Sequence, residues 1–441
     1  MNIKENCKIR TQRSACLACG HALLEQPLLE LPDMPASAQD IPGKNELPFD
    51  RGVKLRLRQC PACGLVQFDC EPVDYYRDVI RAVGLSETMR ELRRADYRHM
   101  LETYGLSGKK FIECGCGRGE FMEVLKEFPA KIYATEANAE FAAAAQELLG
   151  PGCHVMHTFP EDVAMPIPGA PFDCFFSFNF LEHQPDPSAM LGCMYYNLAP
   201  GGYGLITVPS FEYILKDGRY YELIRDHIAN YTLSSLTALC EGCGFEILEK
   251  GLIGIGDTLR VVVRKPESTS LEQAVHAACA GIFAAFQKEQ RSIGEVEKES
   301  MAAGAALPAE AERIPCDVSA LKRNYEELCA QMAAYVERLK EKHLKLALFG
   351  AGHQGFTIAA TTALCSYAEY IMDSAPFKQG KYAPASHIPI VSPAYFAEHP
   401  VDVVMVTAPG YVREITAQLR GLYPERTELQ ICTIEPESWT E

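Results

Sequence analysis

Residues 111–119 read Phe-Ile-Glu-Cys-Gly-Cys-Gly-Arg-Gly, and no other stretch constrains the fold as tightly. A short apolar run ends at Glu113, and Gly115, Gly117 and Gly119 then open a helical segment over 120–128. Glycines at alternate positions let the backbone approach a ligand that a Cβ would exclude, and the helix that follows turns its free N–H groups toward that ligand. Residues 131–136, Lys-Ile-Tyr-Ala-Thr-Glu, read as a second strand that ends in an acid. Glu136 is therefore placed to accept hydrogen bonds from a ribose diol.

Working outward, residues 172–178 and 204–208 read as further strands, with helical stretches such as 139–149 between them. That rhythm predicts a doubly wound parallel sheet of the α/β class. Pro200-Gly201-Gly202 reads as a turn leading from a helix into the 203–208 strand. The pattern E-x-G-x-G-x-G followed by an acid resembles the signature of class I methyltransferases, which bind S-adenosylmethionine (SAM). Its glycine spacing differs from the dinucleotide fingerprint G-x-G-x-x-G. The resemblance implies that Gly115, Gly117, Gly119 and Glu136 hold the cofactor while Glu113 shapes the loop. It also implies that Asp162, in Phe159-Pro160-Glu161-Asp162, lies near the adenine. In open α/β sheets ligands sit beyond the carboxyl ends of strands, so Asn179 and His183, at the exit of 172–178, fall at the methyl end. The alternative is a glycine-rich turn that serves only helix packing.

The bulk numbers bound the rest. At 441 residues the chain is long for one core, and 48% hydrophobic with 23% charged residues is ordinary for a soluble globular protein. A formal net charge of −16, with no Lys/Arg cluster interleaved with aromatics, argues against a nucleic-acid partner. Residues 1–6 lack the apolar stretch of a secretory signal, and no run reaches the roughly 18 apolar residues of a membrane span. Eighteen cysteines fit a reducing, cytoplasmic setting in which thiols ligate metal or pack in cores.

Cys16-x-x-Cys19 and Cys60-x-x-Cys63, each followed by glycine, are spaced to bind one tetrahedral Zn²⁺. Four sulfurs close the coordination shell, so such a zinc stabilises the fold rather than catalyses. A redox C-x-x-C centre is the alternative, and His21 and Cys70 lie close enough in sequence to be spare ligands. Four divisions follow: a zinc-binding domain over 1–75, a SAM-dependent methyltransferase domain over 76–265, a helical connector over 266–345 and a Rossmann-like α/β domain over 346–441. Within the connector, residues 271–290 and 321–342 read as helical, and 304–308 as a surface excursion.

Asp226-His227 precedes a helix expected over 236–243, which Thr232 or Ser234 would cap. His227 is the best general-base candidate, because an imidazole titrates near working pH and an adjacent acid raises its basicity. A lone Asp-His in a loop is also a common structural device. Near the C-terminus, Gly350-Ala351-Gly352-His353-Gln354-Gly355 with Asp373 matches the dinucleotide fingerprint. Taken alone it suggests a nicotinamide cofactor, yet the same pattern occurs in domains that bind another nucleotide or none.

Taken together, the order of these pieces resembles the sugar C-methyltransferase family over essentially the full length. The most specific segment starts at Asp373 and runs through Pro376, Lys378, Gln379, Gly380, Pro384, Ile388, Pro389 and Ile390. It is similar to that family's D-x-x-P-x-K-Q-G-x-x-x-P-G-x-x-I-P-I, with Ala385 in place of the usual Gly. The resemblance implies a nucleotide-linked deoxysugar as small-molecule substrate, methylated at carbon. The family's Y-H-E-H-x-x-Y-F-S loop corresponds here to Ile224, Arg225, Asp226, His227, Asn230, Tyr231 and Thr232. His227 is retained, Asp226 is a shortened Glu, and the first Tyr has become Ile224. The implied roles are His227 as base assisted by Asp226, and Asn179, Asn230 or Tyr231 as donors to an enolate oxygen. Tyr76 or Tyr75, His183 and the C-terminal Gly350, Gly352 and Lys378 would contact substrate or close over its nucleotide. O- or N-methylation of another metabolite and an NAD-dependent oxidoreductase remain the alternatives.

Overall fold

The computed structural model describes residues 12–77, 86–267 and 316–439. The helix expected at 271–290, the excursion at 304–308 and much of the connector lie outside the described residues.

The central sheet has seven strands: β4 (Lys110–Cys114), β5 (Lys131–Glu136), β6 (His154–His157), β7 (Phe172–Phe178), β8 (Leu198–Pro209), β10 (Glu246–Ile253) and β11 (Thr258–Arg264). Their spatial order is β10-β11-β8-β7-β4-β5-β6, with β4 through β8 parallel and β11 antiparallel to both its neighbours. The chain reverses its direction of winding between β4 and β7, the place where open sheets form a crevice. Phe111, Cys174, Phe175 and Phe176 are fully buried, as residues covered on both faces of a parallel sheet must be. Helix α1 (Glu87–Thr103) packs behind the glycine loop, capped by the Ser86 hydroxyl at Met89 N–H. Its buried Arg93 pairs with Asp96 at 2.7 Å and lies 3.9 Å over the Phe178 ring, so this interior charge is both paired and seated on an aromatic face.

Two sequence expectations need correction here. The helix after the glycine loop, α2, covers only Glu120–Leu125, and residues 126–128 continue it as hydrogen-bonded turns. Pro200-Gly201-Gly202 lies inside β8, where the register against β7 shifts between Phe172 and Cys174. Gly201 and Gly202 exchange backbone bonds with Lys265, which holds that irregular stretch in the sheet. A turn signal in sequence thus became a bulge because a partner strand was available.

The N-terminal region, for which the sequence announced only the cysteine pairs, contains β1 (Leu29–Met34), β2 (Val53–Gln59) and β3 (Val66–Phe68). Their antiparallel sheet takes its fourth strand, β9 (Ala229–Asn230), from the far side of the central sheet's sequence. Beyond the long helix α7 (Ser319–Glu341) lies a third sheet, all parallel, in the order β14-β13-β12-β15-β16. Its strands are β12 (Leu346–Phe349), β13 (Ile371–Met372), β14 (Ile390–Val391), β15 (Val403–Val406) and β16 (Gln430–Thr433). Helix α8 (His353–Thr361) follows β12 directly. Apolar residues of all three sheets belong to one continuous core.

Candidate active site

The glycine loop leaves β4 at Cys114 and turns back under β5. Gly115 and Gly117 adopt left-handed φ of 65° and 58°. A Cβ on Gly115 would stand 2.6 Å from the Phe180 ring, whereas one on Gly117 would meet no atom within 4 Å. One glycine is thus required by packing, and the other borders open space. Glu136, buried at the end of β5, accepts from Gly117 N–H at 2.8 Å and Asn138 N–H at 2.9 Å. The acid expected to face a diol also fastens the loop. Glu113 is buried in β4.

Around this loop lies an aromatic wall. Phe180 packs near Phe159 with ring centroids 6.0 Å apart, and Phe159 meets Tyr76 edge-on at 6.0 Å. Arg77 covers the Tyr76 ring at 4.8 Å and pairs with Glu161 at 2.5 Å. Tyr76 thus stands two rings away from the glycine loop, beside the segment that holds Asp162. Asp162 is exposed and turns its carboxylate to Ala164 N–H. Asn179 stands exposed at the mouth of β7 with φ of 48°, and its Oδ1 accepts from Thr207 Oγ1 at 3.0 Å. That bond leaves the amide N–H₂ pointing elsewhere.

The residues just beyond β7 meet the segment carrying Asp226 and His227. His183 donates from Nδ1 to the Asp226 carbonyl at 2.8 Å, and its ring meets that of His227 edge-on at 4.8 Å. Burial lowers the pKa of His227 well below the ordinary imidazole value, and the neighbouring His183 and His353 push the same way. Burial also depresses His183, to about 4, and pushes the Glu182 carboxyl up to about 8. All these groups are therefore held uncharged near neutrality. Asn230 Nδ2 and the Tyr231 hydroxyl are buried next in line, with no hydrogen-bond partner among the described residues.

Asp226 does not serve His227 in the way the sequence suggested. Its carboxylate accepts from the Tyr75 hydroxyl at 2.5 Å and from Ala38 N–H at 2.9 Å, both in the N-terminal unit. Arg225 reaches the same unit, donating to the carbonyls of Ala36, Glu71 and Pro72. These contacts were invisible in sequence, because they join positions more than 150 residues apart.

The four cysteines converge as expected. Cys16 and Cys63 sulfurs lie 3.5 Å apart, as do those of Cys19 and Cys60. Gly20 N–H and Gly64 N–H bond back to the Cys16 and Cys60 carbonyls, forming two matching knuckles. A tetrahedral Zn²⁺ with bonds of about 2.3 Å needs sulfurs about 3.8 Å apart, so the donor set fits. The set consists of those four cysteines and includes neither His21 nor Cys70.

The C-terminal glycine loop is closed by protein groups. Asp373 accepts from Ala351 N–H at 2.8 Å and from the Lys378 ammonium at 3.2 Å. Lys378 also donates to the Ala351 carbonyl, so its charge is used within the loop rather than projected outward. Gly350 and Gly352 lead into α8, whose first residues His353 and Gln354 both bond the Glu222 carboxylate. Beside that clamp a narrow crevice is lined by Met34, Ala38, Ile224, Arg225, His353 and Thr357. It brings the three units together.

Two family models match the chain: a methyltransferase domain over residues 85–250 and a C-methyltransferase C-terminal domain over 285–432. The chain thus carries a region similar to methyltransferase domains and another similar to C-methyltransferase C-terminal domains. Its seven-stranded sheet has the strand order and single antiparallel hairpin strand of the class I methyltransferase sheet, in agreement with the methyltransferase-domain match. Among curated relatives, the C-methyltransferase NovU of Streptomyces niveus is 29% identical over 233 residues, 53% of this chain and 50% of NovU. A ubiquinone biosynthesis O-methyltransferase of Psychrobacter arcticus is 33% identical over 113 residues, 24% of this chain and 43% of that protein. The chain thus spans about half the length, or less, of these relatives. Similar solved structures include the N-methyltransferase NodS of Bradyrhizobium japonicum with S-adenosyl-L-homocysteine, 18% identical with a TM-score of 0.32 over 41% of this chain and 89% of NodS. A SAM-dependent methyltransferase of Aquifex aeolicus is 19% identical with a TM-score of 0.33 over 40% of this chain and 92% of its own. No helix among the described residues is long and apolar enough to cross a membrane.

Proposed function

We propose that this protein transfers a methyl group from SAM to a carbon of a nucleotide-linked keto-deoxysugar. When bound, SAM supplies an electrophilic methyl on a sulfonium; everything else must come from the chain. Gly117 opens toward space, and a carboxylate has about four acceptor positions, so Glu136 can fasten the loop and still accept from a diol. Tyr76, Phe159 and Asp162 would flank the adenine, and Asn179 would orient the methyl end through its amide N–H₂.

Carbon becomes nucleophilic only after a proton alpha to a carbonyl is removed. The observation that carries this reading is the His227 imidazole, kept neutral by burial and packed on His183 at the exit of β7. A neutral imidazole has a lone pair available as base, and Asn230 Nδ2 and the Tyr231 hydroxyl are buried donors that an enolate oxygen would satisfy. Asp226 would act indirectly, by holding the segment rather than the proton. The C-terminal unit would close over the nucleotide portion, and the four cysteines would hold a structural Zn²⁺. His227→Gln should abolish turnover while calorimetry still detects SAM; retained turnover removes His227 from the mechanism. Mass spectrometry with labelled SAM and a panel of nucleotide-sugars identifies the substrate.

O- or N-methylation is the second reading, favoured by the apolar Ile224 lining the crevice where the family carries a tyrosine. Solvent deuterium exchange at a substrate carbon occurs only under the first.

A further inference from the structure

We propose that Glu182, His183 and His227 form a second metal site, which takes a first-row divalent cation such as Zn²⁺ or Co²⁺ on two nitrogens and one oxygen. One ligand atom from each of the three lies within 4.8 Å of the other two. Two independent observations point to a cation rather than to casual proximity. Glu182, 2% exposed, keeps Oε2 buried with no hydrogen-bond partner among the described residues. A buried carboxyl oxygen without a donor is costly, and a cation removes that cost. His183, meanwhile, must carry its proton on Nδ1, because a peptide carbonyl can only accept. Its Nε2 lone pair is then left toward Glu182, with Oε1 3.9 Å away. An imidazole fixed through a backbone carbonyl on its far nitrogen is the usual arrangement of a metal-binding histidine.

Donors about 2.1 Å from a tetrahedral ion stand about 3.4 Å apart, so the Glu182–His183 pair must close by about half an ångström. Two imidazoles and a carboxylate favour borderline transition metals over Mg²⁺, and three protein ligands leave a position open. This donor set shares nothing with the four thiolates.

Occupancy has a consequence that rests on the function proposed above. A cation there takes the His227 lone pair, so metal binding and proton abstraction by His227 exclude one another. Zinc in excess of the thiolate site should then inhibit methyl transfer. The binding itself does not depend on that reading, and its test is separate from it.

The full chain is stripped of metal and titrated with Co²⁺ under reducing conditions, with bound metal counted by equilibrium dialysis. Thiolate ligands give strong sulfur-to-cobalt absorption in the near ultraviolet; nitrogen and oxygen ligands give only weak visible bands. Two ions per chain are expected, the second adding no thiolate absorption. Glu182→Gln and His183→Asn should each lose the second ion and keep the first, with unchanged circular dichroism. Should either fail to fold, His227→Asn provides the same count. A single ion in the wild-type chain overturns the proposal, as does a second ion retained by the folded variants, which would mark adventitious surface histidines. Failure to methylate any nucleotide-sugar would leave these counts unchanged.

Discussion

The Tyr75 hydroxyl donates to Asp226 Oδ1 at 2.5 Å, joining the N-terminal unit to the residue next to His227. It is one strand of a larger attachment. Phe68 N–H bonds the Ile228 carbonyl, β3 pairs with β9, and Arg225 donates to three N-terminal carbonyls. The segment from Arg225 to Asn230 is therefore held from outside the sheet that carries the glycine loop.

Tyr75→Phe deletes one hydrogen bond to a buried carboxyl, worth about 1.5–3 kcal/mol when the acceptor is charged. The urea midpoint should fall accordingly. Because Tyr75 does not touch the glycine loop, SAM affinity should hold while kcat drops. An equal loss of SAM affinity, measured by calorimetry, would place the effect in global folding instead.

With the four cysteines holding Zn²⁺ as proposed, its removal should loosen the same segment. Zinc sites contribute folding energy directly, and here β3 and β9 share the sheet that the knuckles organise. Cys60→Ser, or chelation, is expected to speed amide hydrogen exchange at Ala229 and Asn230 more than in β4 or β5. Uniform exchange rates across those strands would contradict the coupling.

Two glycine substitutions separate packing from ligand space. Gly115→Ala places a Cβ 2.6 Å from the Phe180 ring and adds left-handed strain of about 1–2 kcal/mol, so both stability and SAM binding should fall. Gly117→Ala carries similar strain but meets no protein atom, so its larger effect should be on SAM affinity. Thermal melts with and without SAM distinguish the two.

The Glu222 carboxylate, from a separate turn, bonds the side chains of His353 and Gln354 at the start of α8, beside the place where a dinucleotide phosphate would sit, and Lys378 already pairs with Asp373. NADH fluorescence titration should show no saturable binding. Glu222→Ala removes both bonds to His353 and Gln354 and should raise the trypsin sensitivity of the C-terminal unit. A saturable NADH signal in the unmodified chain would reinstate the oxidoreductase alternative.

Local patterns were legible because their causes are local. The 111–119 glycine run, the 139–149 helix and the 346–349 strand appear as Lys110–Cys114 with its loop, Ala139–Leu149 and Leu346–Phe349. The two C-x-x-C pairs likewise announced one sulfur cluster, since each knuckle is built within five residues. Strands β1 to β3 escaped notice because their alternation is short and broken by turns. The bulge at Gly201 was misread because a turn and a bulge use the same residues, and only the partner strand separates them.

What the chain's order of residues determined, then, was the class I sheet, the glycine loop with its acid, the thiolate cluster and the presence of an imidazole at 227. Those depend on backbone conformation, spacing and periodicity within a few turns of chain. Only the folded arrangement decided what Asp226, Lys378 and Glu222 do with their charges. A charged group takes whichever partner lies within hydrogen-bond reach: Tyr75 and His353 are brought to Asp226 and Glu222 by sheets meeting on one core, whereas Asp373 meets Lys378 within the folded C-terminal loop.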